Sequence, residues 1–170
     1  MTTWLAGMRM TADRLNDTDL SGNVVFLARR GTAQSITSGA DSSSNAISWD
    51  NVDLDSLSGW SGSQPTRWTA PSTGWWILAG GVSFEGNSGG QIRECVWYVN
   101  GGAISAGRSR PIPTTAISAS GMTVIARTVP RLLNAGDYVQ LVAAQNSGSS
   151  LNVFTGSYQP FMSVRYGGPA

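Results

Sequence analysis

From residue 24 onward the sequence is a succession of short apolar runs, and clusters of Gly, Ser, Asn and Pro separate these runs. Such clusters favour tight turns and therefore end regular structure. Many short strands at this spacing are typical of an all-β sandwich or barrel. We predict ten antiparallel strands, at residues 24–29, 35–37, 45–50, 67–70, 75–85, 91–100, 103–109, 122–131, 137–145 and 158–166.

Two turn motifs indicate how consecutive strands connect. Asn100-Gly101 lies between two strand-like runs, and a type I′ hairpin favours this pair because both of its central residues have positive φ. The run "LNAGD" (133–137) has the composition of a second hairpin corner. Both motifs favour antiparallel pairing of neighbouring strands.

The apolar alternation within the strands shows that the sheets are covered on both sides. In the run "WWILAGGVSF" (75–84), Trp76, Leu78, Val82 and Phe84 face one way, and Trp75, Ile77 and Ala79 face the other. A sheet with one face in water alternates apolar and polar residues instead. One face therefore packs on a second sheet, and we expect a partner subunit on the other, since soluble oligomers are mostly closed and symmetric.

The first 23 residues differ from the rest of the chain. They contain a short helical candidate that Thr11 can cap, but too few apolar residues to form a core. We interpret residues 1–23 as a docking arm, residues 24–167 as the β domain and residues 168–170 as a C-terminal tail. The apolar anchors of the arm are Trp4, Leu5, Met8, Met10 and Leu15.

Charge and hydropathy exclude two classes of partner. The eleven basic residues are all Arg, ten carboxylates balance them, and the net charge is +1. This balance argues against a nucleic-acid-binding surface. No apolar run approaches the roughly 20 residues that span a bilayer, and the N-terminus lacks the pattern of a secretory leader.

The stretch "FEGNSGGQIR" (84–93) is one residue away from the Gly-Asp-Ser-Gly-Gly that surrounds the nucleophile of trypsin-like proteases. A serine hydroxyl needs a neighbouring base, and the chain has neither His nor Lys. We therefore interpret Ser88 as a surface residue of a glycine-rich turn. Glycoside hydrolysis by two carboxylates needs no His, but Glu94 has no second acid paired with it in its strand. We predict no catalytic residue and no cofactor.

The candidate metal ligands are equally sparse. Cys95, the only cysteine, lies in a strand-like run, where a buried and inert thiol is expected. Asp50, Asp53 and Asp55 could supply oxygens to calcium, but an extended strand places Asp50 opposite the other two. We expect solvated acids and no metal site.

Five stretches in order resemble a known family: "ISWDNVDLD" (47–55), "RWTAPSTGWWIL" (67–78), "CVWYVNGG" (95–102), "LNAGDYVQL" (133–141) and "FTGSYQPFMSVRY" (154–166). Together they are similar to the ten-stranded jelly roll of the complement globular-head and tumour-necrosis-factor class. The resemblance implies an all-β, ten-stranded antiparallel jelly-roll sandwich, here with a short N-terminal docking arm.

The same resemblance implies a homotrimer in which one sheet of each subunit turns toward the three-fold axis. This agrees with the two-sided apolar strands. The aromatic and aliphatic candidates for trimer interface or core are Trp75, Ile77, Tyr138 and Phe161. The sequence does not separate these two locations.

The arm sequence "WLAGMRMTADRLN" (4–16) is similar to the N-terminal segments of tail-fibre, minor-tail and head-decoration proteins of tailed phages. With the lysine-free composition, it resembles a virion protein of phages that infect actinobacteria. The resemblance implies a non-enzymatic surface knob on the exterior of the virion, assembled in the host cytoplasm. Its partner is the major capsid protein, as a capsid decoration or head spike, or alternatively a tail component.

Binding of a host receptor or carbohydrate is the other function that the sequence leaves open. Exposed aromatic side chains in jelly-roll loops often stack on sugars. Trp60 and Trp68, in and beside the loop "SGWSGSQPTRW" (58–68), are the candidates that face a ligand. Either tryptophan can instead cover the end of a sheet.

Overall fold

The computed structural model describes residues 21–112 and 121–170. Within them the chain forms strands and two short 3-10 turns, Ser43–Asn45 and Gly156–Tyr158, and no α-helix. None of the described segments is a helix of the length and hydropathy needed to cross a membrane. The twelve strands are β1 Val24–Arg29, β2 Ser35–Ile36, β3 Asn51–Asp55, β4 Trp68–Thr69, β5 Gly74–Phe84, β6 Arg93–Val99, β7 Gly102–Ser109, β8 Met122–Ile125, β9 Val129–Leu133, β10 Tyr138–Gln145, β11 Leu151–Asn152 and β12 Phe161–Gly168.

Two antiparallel sheets pack face to face. The larger has the order β3-β1-β12-β5, and both β8 and β9 pair with the remaining side of β5. The smaller has the order β4-β10-β6-β7, and β11 and β2 form a separate two-stranded pair. This confirms the predicted all-β antiparallel sandwich, in which strands distant in the sequence are neighbours.

The core between the sheets is built around large aromatic side chains. The inward residues of β5 include Trp76, whose ring lies 5.0 Å from that of Trp68 in an edge-on arrangement. Opposite them, Trp97 of β6 packs on Gly80, where an added Cβ would come within 3.1 Å of the indole ring. A glycine in the middle of β5 therefore leaves the space that the indole of the facing sheet fills.

The predicted hairpin at Asn100-Gly101 is confirmed. The two residues have φ values of 50° and 78°, as a type I′ turn requires. The predicted corner at 133–137 also forms, and Asp137 donates its backbone N–H to the carbonyl of Asn134 at 3.0 Å. In both turns the local sequence determined the structure.

Ten strands were predicted and twelve are described: one predicted strand is absent, one is divided in two, and β3 and β11 were not predicted. Residues 45–50 form no strand, because the Asn45 side chain bonds to both backbone groups of Thr37 and the Asp50 carboxylate bonds to the backbone of Gly31 and Thr32. The strand that follows, β3, begins only at Asn51. The predicted strand 122–131 is two strands, β8 and β9, with a break at which the carbonyl of Arg127 accepts a hydrogen bond from the indole of Trp97.

The sandwich has two distinct ends. At one end Gly22 donates its backbone N–H to the carbonyl of Tyr166, so the described part of the chain begins beside the start of β5. At the opposite end β5 finishes at Phe84, next to Met122 of β8. The eleven residues of β5 span roughly 30 Å between these ends.

Candidate functional site

The outer face of the four-stranded sheet is covered by the chain itself. Val96, Tyr98 and Val142 point outward from β6 and β10, and together with Ala46 they form a small buried cluster. The segment 37–47 covers them: Ala46 pairs with the edge of β10 at Val142, and Asp41 reaches across to the Tyr98 hydroxyl. We call this the covered face, on which Val96 and Val142 are completely buried and Tyr98 is 6% exposed.

A group of ionic side chains fastens the covering segment to the sheet. The Asp41 carboxylate accepts hydrogen bonds from the guanidinium of Arg108 at 2.8 Å and from the hydroxyl of Tyr98 at 2.9 Å. The side chain of Glu94 is completely buried and pairs with both Arg108 and Arg110. We call these five residues the clamp. Arg108 thus joins a carboxylate of the covering segment to a carboxylate of the sheet.

The clamp shifts the titration of two of its members. The hydrogen bond from Arg108 is the main cause that lowers the pKa of Asp41 below its usual range, and Tyr98 adds to it. Burial, followed by the hydrogen bond to Asp41, raises the pKa of Tyr98 to about 12. Both pKa shifts favour an ionised Asp41 carboxylate and a neutral Tyr98 phenol. This pairing holds the segment 37–47 against the smaller sheet.

The outer face of the six-stranded sheet has no such cover among the described residues. Four large apolar side chains on it stay exposed: Leu54 (38%), Trp75 (44%), Leu132 (44%) and Ile125 (51%). They align in rows across the strands, because Trp75 pairs with Leu132, Gly81 with both Ile125 and Phe161, and Leu27 with Leu54. We call this the bare face.

Charged groups are few on the bare face and lie mostly at its border. At the β1–β3 border Arg29 forms a two-pronged salt bridge with Asp53, with both nitrogen–oxygen distances 2.7 Å. The hydrogen bond from Arg29 is the main cause that lowers the pKa of Asp53. Arg165 lies inside the face beside Ile77, and it is exposed. Apart from Arg165, the arrangement is an apolar centre with a polar rim, as at protein–protein interfaces.

The structure brings together three of the four predicted candidates for trimer interface or core. Trp75, Ile77 and Phe161 all lie on the bare face. Tyr138 lies instead on the smaller sheet, in β10, where the guanidinium of Arg67 stacks 4.5 Å from the centre of its ring. The strand alternation alone did not show that Tyr138 belongs to a different sheet.

The sequence prediction missed Leu54 and Leu132 of this face. Leu132 precedes the core residue Leu133 in the run "VPRLL" (129–133), and two adjacent apolar residues in a strand must face opposite ways. That signal was present in the sequence. Leu54 gave a weaker signal, because acids flank it on both sides. The predicted arm anchors Trp4, Leu5, Met8, Met10 and Leu15 lie outside the described residues.

The two tryptophans that the sequence proposed as ligand-facing lie in different environments. Trp68 is completely buried in the core, so this prediction was wrong. Trp60 is half-buried against the core, and its indole donates a hydrogen bond to the carbonyl of Pro65 at 3.2 Å. Both rings close the end of the sandwich beside β4, which was the alternative interpretation.

The three aspartates near β3 serve separate local roles. Asp50 bonds to the turn at Gly31 and Thr32, Asp53 pairs with Arg29, and Asp55 accepts the backbone N–H groups of Gly59 and Trp60. Within residues 21–112 and 121–170, no group of three or more potential metal ligands converges.

The remaining candidates for chemistry have structural roles. Ser88 is exposed in the loop between β5 and β6, which the buried Arg93 holds through the carbonyls of Asn87 and Gly89. Burial raises the pKa of the Cys95 thiol far above its usual range, which leaves it protonated and unreactive. Glu94 acts in the clamp, paired with two arginines.

Comparison with solved structures identifies the architecture. The globular domain of zebrafish complement 1qA protein superposes with a TM-score of 0.57 at 9% sequence identity, over 82% of this chain and 93% of that chain. The Eiger TNF from S. frugiperda superposes with a TM-score of 0.57 at 11% identity, over 86% of this chain and 94% of that chain. No protein-family model matches the sequence, and no curated protein matches it significantly. At these identities the likeness establishes the fold, which is the jelly roll that these domains share.

Proposed function

We propose that this chain is a non-enzymatic structural protein that assembles as a homotrimer through its bare face. The observation that carries the proposal is the set of four exposed apolar side chains, Leu54, Trp75, Ile125 and Leu132, on one side of one sheet. Burying a large apolar side chain supplies about 1.5–3 kcal/mol, so an uncovered face of this composition favours association. The jelly-roll fold supports three copies around an axis as the closed arrangement, as the sequence resemblance implies.

The first test is the mass of the full chain in solution. Light scattering should give three times the 17.9 kDa mass of one chain. Trp75→Lys places a charge on the bare face, where Arg165 adds repulsion, and should yield a folded monomer. Ile112→Lys is the matched control, because Ile112 is also large and exposed (81%) but follows β7 of the other sheet. A monomeric wild-type chain, or a Trp75→Lys variant that stays trimeric, would contradict the proposal.

The virion is the setting that we propose for this trimer. Residues 1–23 would fix the knob to the exterior of a phage particle through Trp4, Leu5, Met8, Met10 and Leu15, whose burial supplies the attachment energy. Three arms on one trimer bind more tightly than one, because the first contact raises the effective concentration of the others. The support for this setting is the resemblance of the arm sequence, which favours a capsid decoration or head spike over a minor tail protein.

Two measurements test the setting separately from the trimer. An antibody against the chain should label the heads of purified virions, whereas label on the tail would support the alternative location and no label would overturn the proposal. Deletion of residues 1–20 should abolish binding to the particle, and Trp4→Ala in the full chain should weaken it, while the solution mass of both variants stays that of a trimer. Unchanged particle binding would show that the arm does not attach the knob.

A further inference from the structure

A cavity of about 230 Å³ lies at the end of the sandwich where β5 finishes, opposite the end where the described part of the chain begins. It continues the bare face by one row beyond Ile125. The residues that line it are Ser83, Phe84, Gly121, Met122, Thr123, Phe154 and Tyr158.

Two aromatic rings form one wall of the cavity. Phe154 and Tyr158 stand edge to face with their centres 5.6 Å apart, and 61% of Tyr158 is exposed. The wall is tied to the sheet, because the backbone N–H of Phe154 donates to the carbonyl of Ser83 at 2.6 Å. Gly121 lies next to this wall with a φ of 72°, and a Cβ there would come within 2.5 Å of the Phe84 carbonyl oxygen and 3.1 Å of the Phe154 ring. Glycine at this position thus keeps the space beside the rings open.

Two hydroxyl groups form the floor. The side-chain oxygens of Ser83 and Thr123 lie 2.8 Å apart and share one hydrogen bond. Each hydroxyl can donate once and accept twice, so the pair keeps one free donor and three acceptor positions. The described residues supply no further bond to either hydroxyl. The floor is therefore matched to a ligand that carries hydroxyl groups, which donate and accept alike.

The lining also restricts the charge and size of the ligand. None of the described lining residues is ionisable near neutral pH, so a charged ligand would lose its hydration without a counter-charge from them. Pockets for drug-sized ligands range from about 300 to 1,000 Å³, and this cavity is smaller. Its volume suits a single six-membered ring with its substituents.

We propose that this cavity binds one neutral pyranose unit. The less polar side of the sugar ring lies on Tyr158 and Phe154, and its hydroxyl groups bond to Ser83 and Thr123. All described residues that line the cavity come from a single chain. The cavity lies roughly 30 Å from Gly22, so attachment of the chain through residues 1–20 would leave it accessible.

The test is saturation-transfer NMR with the full chain and four methyl pyranosides, those of glucose, galactose, mannose and N-acetylglucosamine. At least one should receive saturation, with its ring protons labelled most strongly, at an affinity on the order of 1 mM. Tyr158→Ala should weaken binding about tenfold or abolish it, since the stacking surface is lost. Absence of transfer to all four sugars would overturn the proposal.

Conservative variants separate the contacts of the cavity from effects on folding. Thr123→Ser keeps the hydroxyl and should keep binding, whereas Thr123→Val keeps the shape, removes the hydroxyl and should weaken it. Tyr138→Ala is the matched control, because it removes a tyrosine from the other sheet and should leave binding unchanged. Equal binding by Thr123→Val and Thr123→Ser would exclude the proposed floor contact and overturn this mode of binding.

The solution mass is measured on the same samples, so the sugar-binding proposal and the trimer proposal are tested independently. Each cavity variant should keep the mass of the wild-type chain. If Tyr158→Ala lowers the mass, the cavity is occupied by a second copy of the chain, and the sugar proposal is wrong. If the wild-type chain is a monomer that still binds the sugar, the trimer proposal alone fails.

Discussion

The two sheets of this molecule both carry apolar side chains on their outer faces, but only the smaller sheet has these side chains covered by another segment of the described chain. On the smaller sheet Val96 and Val142 are completely buried under the segment 37–47 of the same chain. On the larger sheet Trp75 and Ile125 stay about half exposed. Two-sided apolar strands therefore indicate that something covers the sheet, but they do not tell a partner from the chain itself.

The difference lies in polar anchors that the strand pattern does not reveal. The covering segment contains Asp41, which pairs with Arg108 of the smaller sheet. Arg108 and Arg110 both pair in turn with the buried Glu94. The bare face offers Arg29, already paired with Asp53, and Arg165. The clamp specifies which segment lies on the smaller sheet, whereas no described segment has a matching anchor on the larger one.

The largest expected effect comes from placing a charge on the covered face. Val142→Lys buries an ammonium group against Val96 with no free carboxylate, and we expect it to lose about 3–5 kcal/mol of unfolding free energy. Circular dichroism during urea unfolding measures the loss. A variant as stable as the wild type would show that the segment 37–47 moves away at little cost, and the distinction between the faces would fail.

The same substitution on the bare face should leave the fold intact. Ile125→Lys puts its ammonium group in water in the monomer, so we expect the unfolding free energy of the monomer to change by less than about 1 kcal/mol. Light scattering should show dissociation of the trimer instead. Val142→Lys and Ile125→Lys form a matched pair, in which the first variant should destabilise the fold and the second should separate the subunits.

A smaller effect is expected from opening the clamp. Asp41→Ala removes the acceptor of both Arg108 and Tyr98, and we expect a loss of about 1 kcal/mol, since the pair is partly exposed. A dye that fluoresces on apolar surfaces should bind more strongly as the covered face is uncovered. Asp53→Ala, which breaks the exposed pair with Arg29 at the rim of the bare face, is the control and should change neither stability nor dye binding.

The clamp also predicts how stability depends on alkaline pH. An unfolded tyrosine titrates near pH 10, and Tyr98 in the folded chain titrates at about 12. Between these values the unfolded state loses its proton first, so the contribution of Tyr98 is complete below pH 10 and declines as pH rises toward 12. Urea unfolding at pH 9, 10 and 11 should show a steeper decline for the wild type than for Tyr98→Phe. Equal slopes would mean that the phenol is not held by the clamp.

The smallest effect is expected at Ser88, which belongs to neither face. The loop around it is fixed by Arg93 and by the Asn146 side chain, which accepts the backbone N–H groups of Gln91 and Ile92. Ser88→Ala should therefore change the unfolding free energy by less than about 0.5 kcal/mol and leave the solution mass unaltered. A larger change in either quantity would assign this serine a role that its exposed position does not indicate.

The sequence predicted the features that depend on local chemistry. The turn at Asn100-Gly101, the corner at 133–137 and the limits of β1 follow from residue type and alternation, and the structure has them. The resemblance of five short stretches predicted the order of the jelly roll. The sequence did not predict what depends on long-range contacts, such as the burial of Trp68 and the side-chain bonds that keep residues 45–50 from forming a strand.

The candidate site was predicted only in part, because some of its side chains are placed by long-range contacts. Alternation placed Trp75 and Ile77 on an outward face but could not decide which sheet Tyr138 belonged to. The aromatic wall of Phe154 and Tyr158 could not be predicted either, because it forms in an irregular loop whose position is set by pairing with the end of β5. Side chains that loops bring together have no period in the sequence that reveals them.

The position of β12 has a consequence for how the chain is made. The last strand in sequence order lies between β1 and β5, in the middle of the larger sheet. A ribosome delivers it after the other eleven described strands, so the larger sheet cannot close until residues 161–168 are made, and pairing over such a sequence distance is slow. The bare face, which β12 completes with Phe161, consequently forms only after β12 has been synthesised. A shorter nascent chain therefore cannot present this surface to another copy.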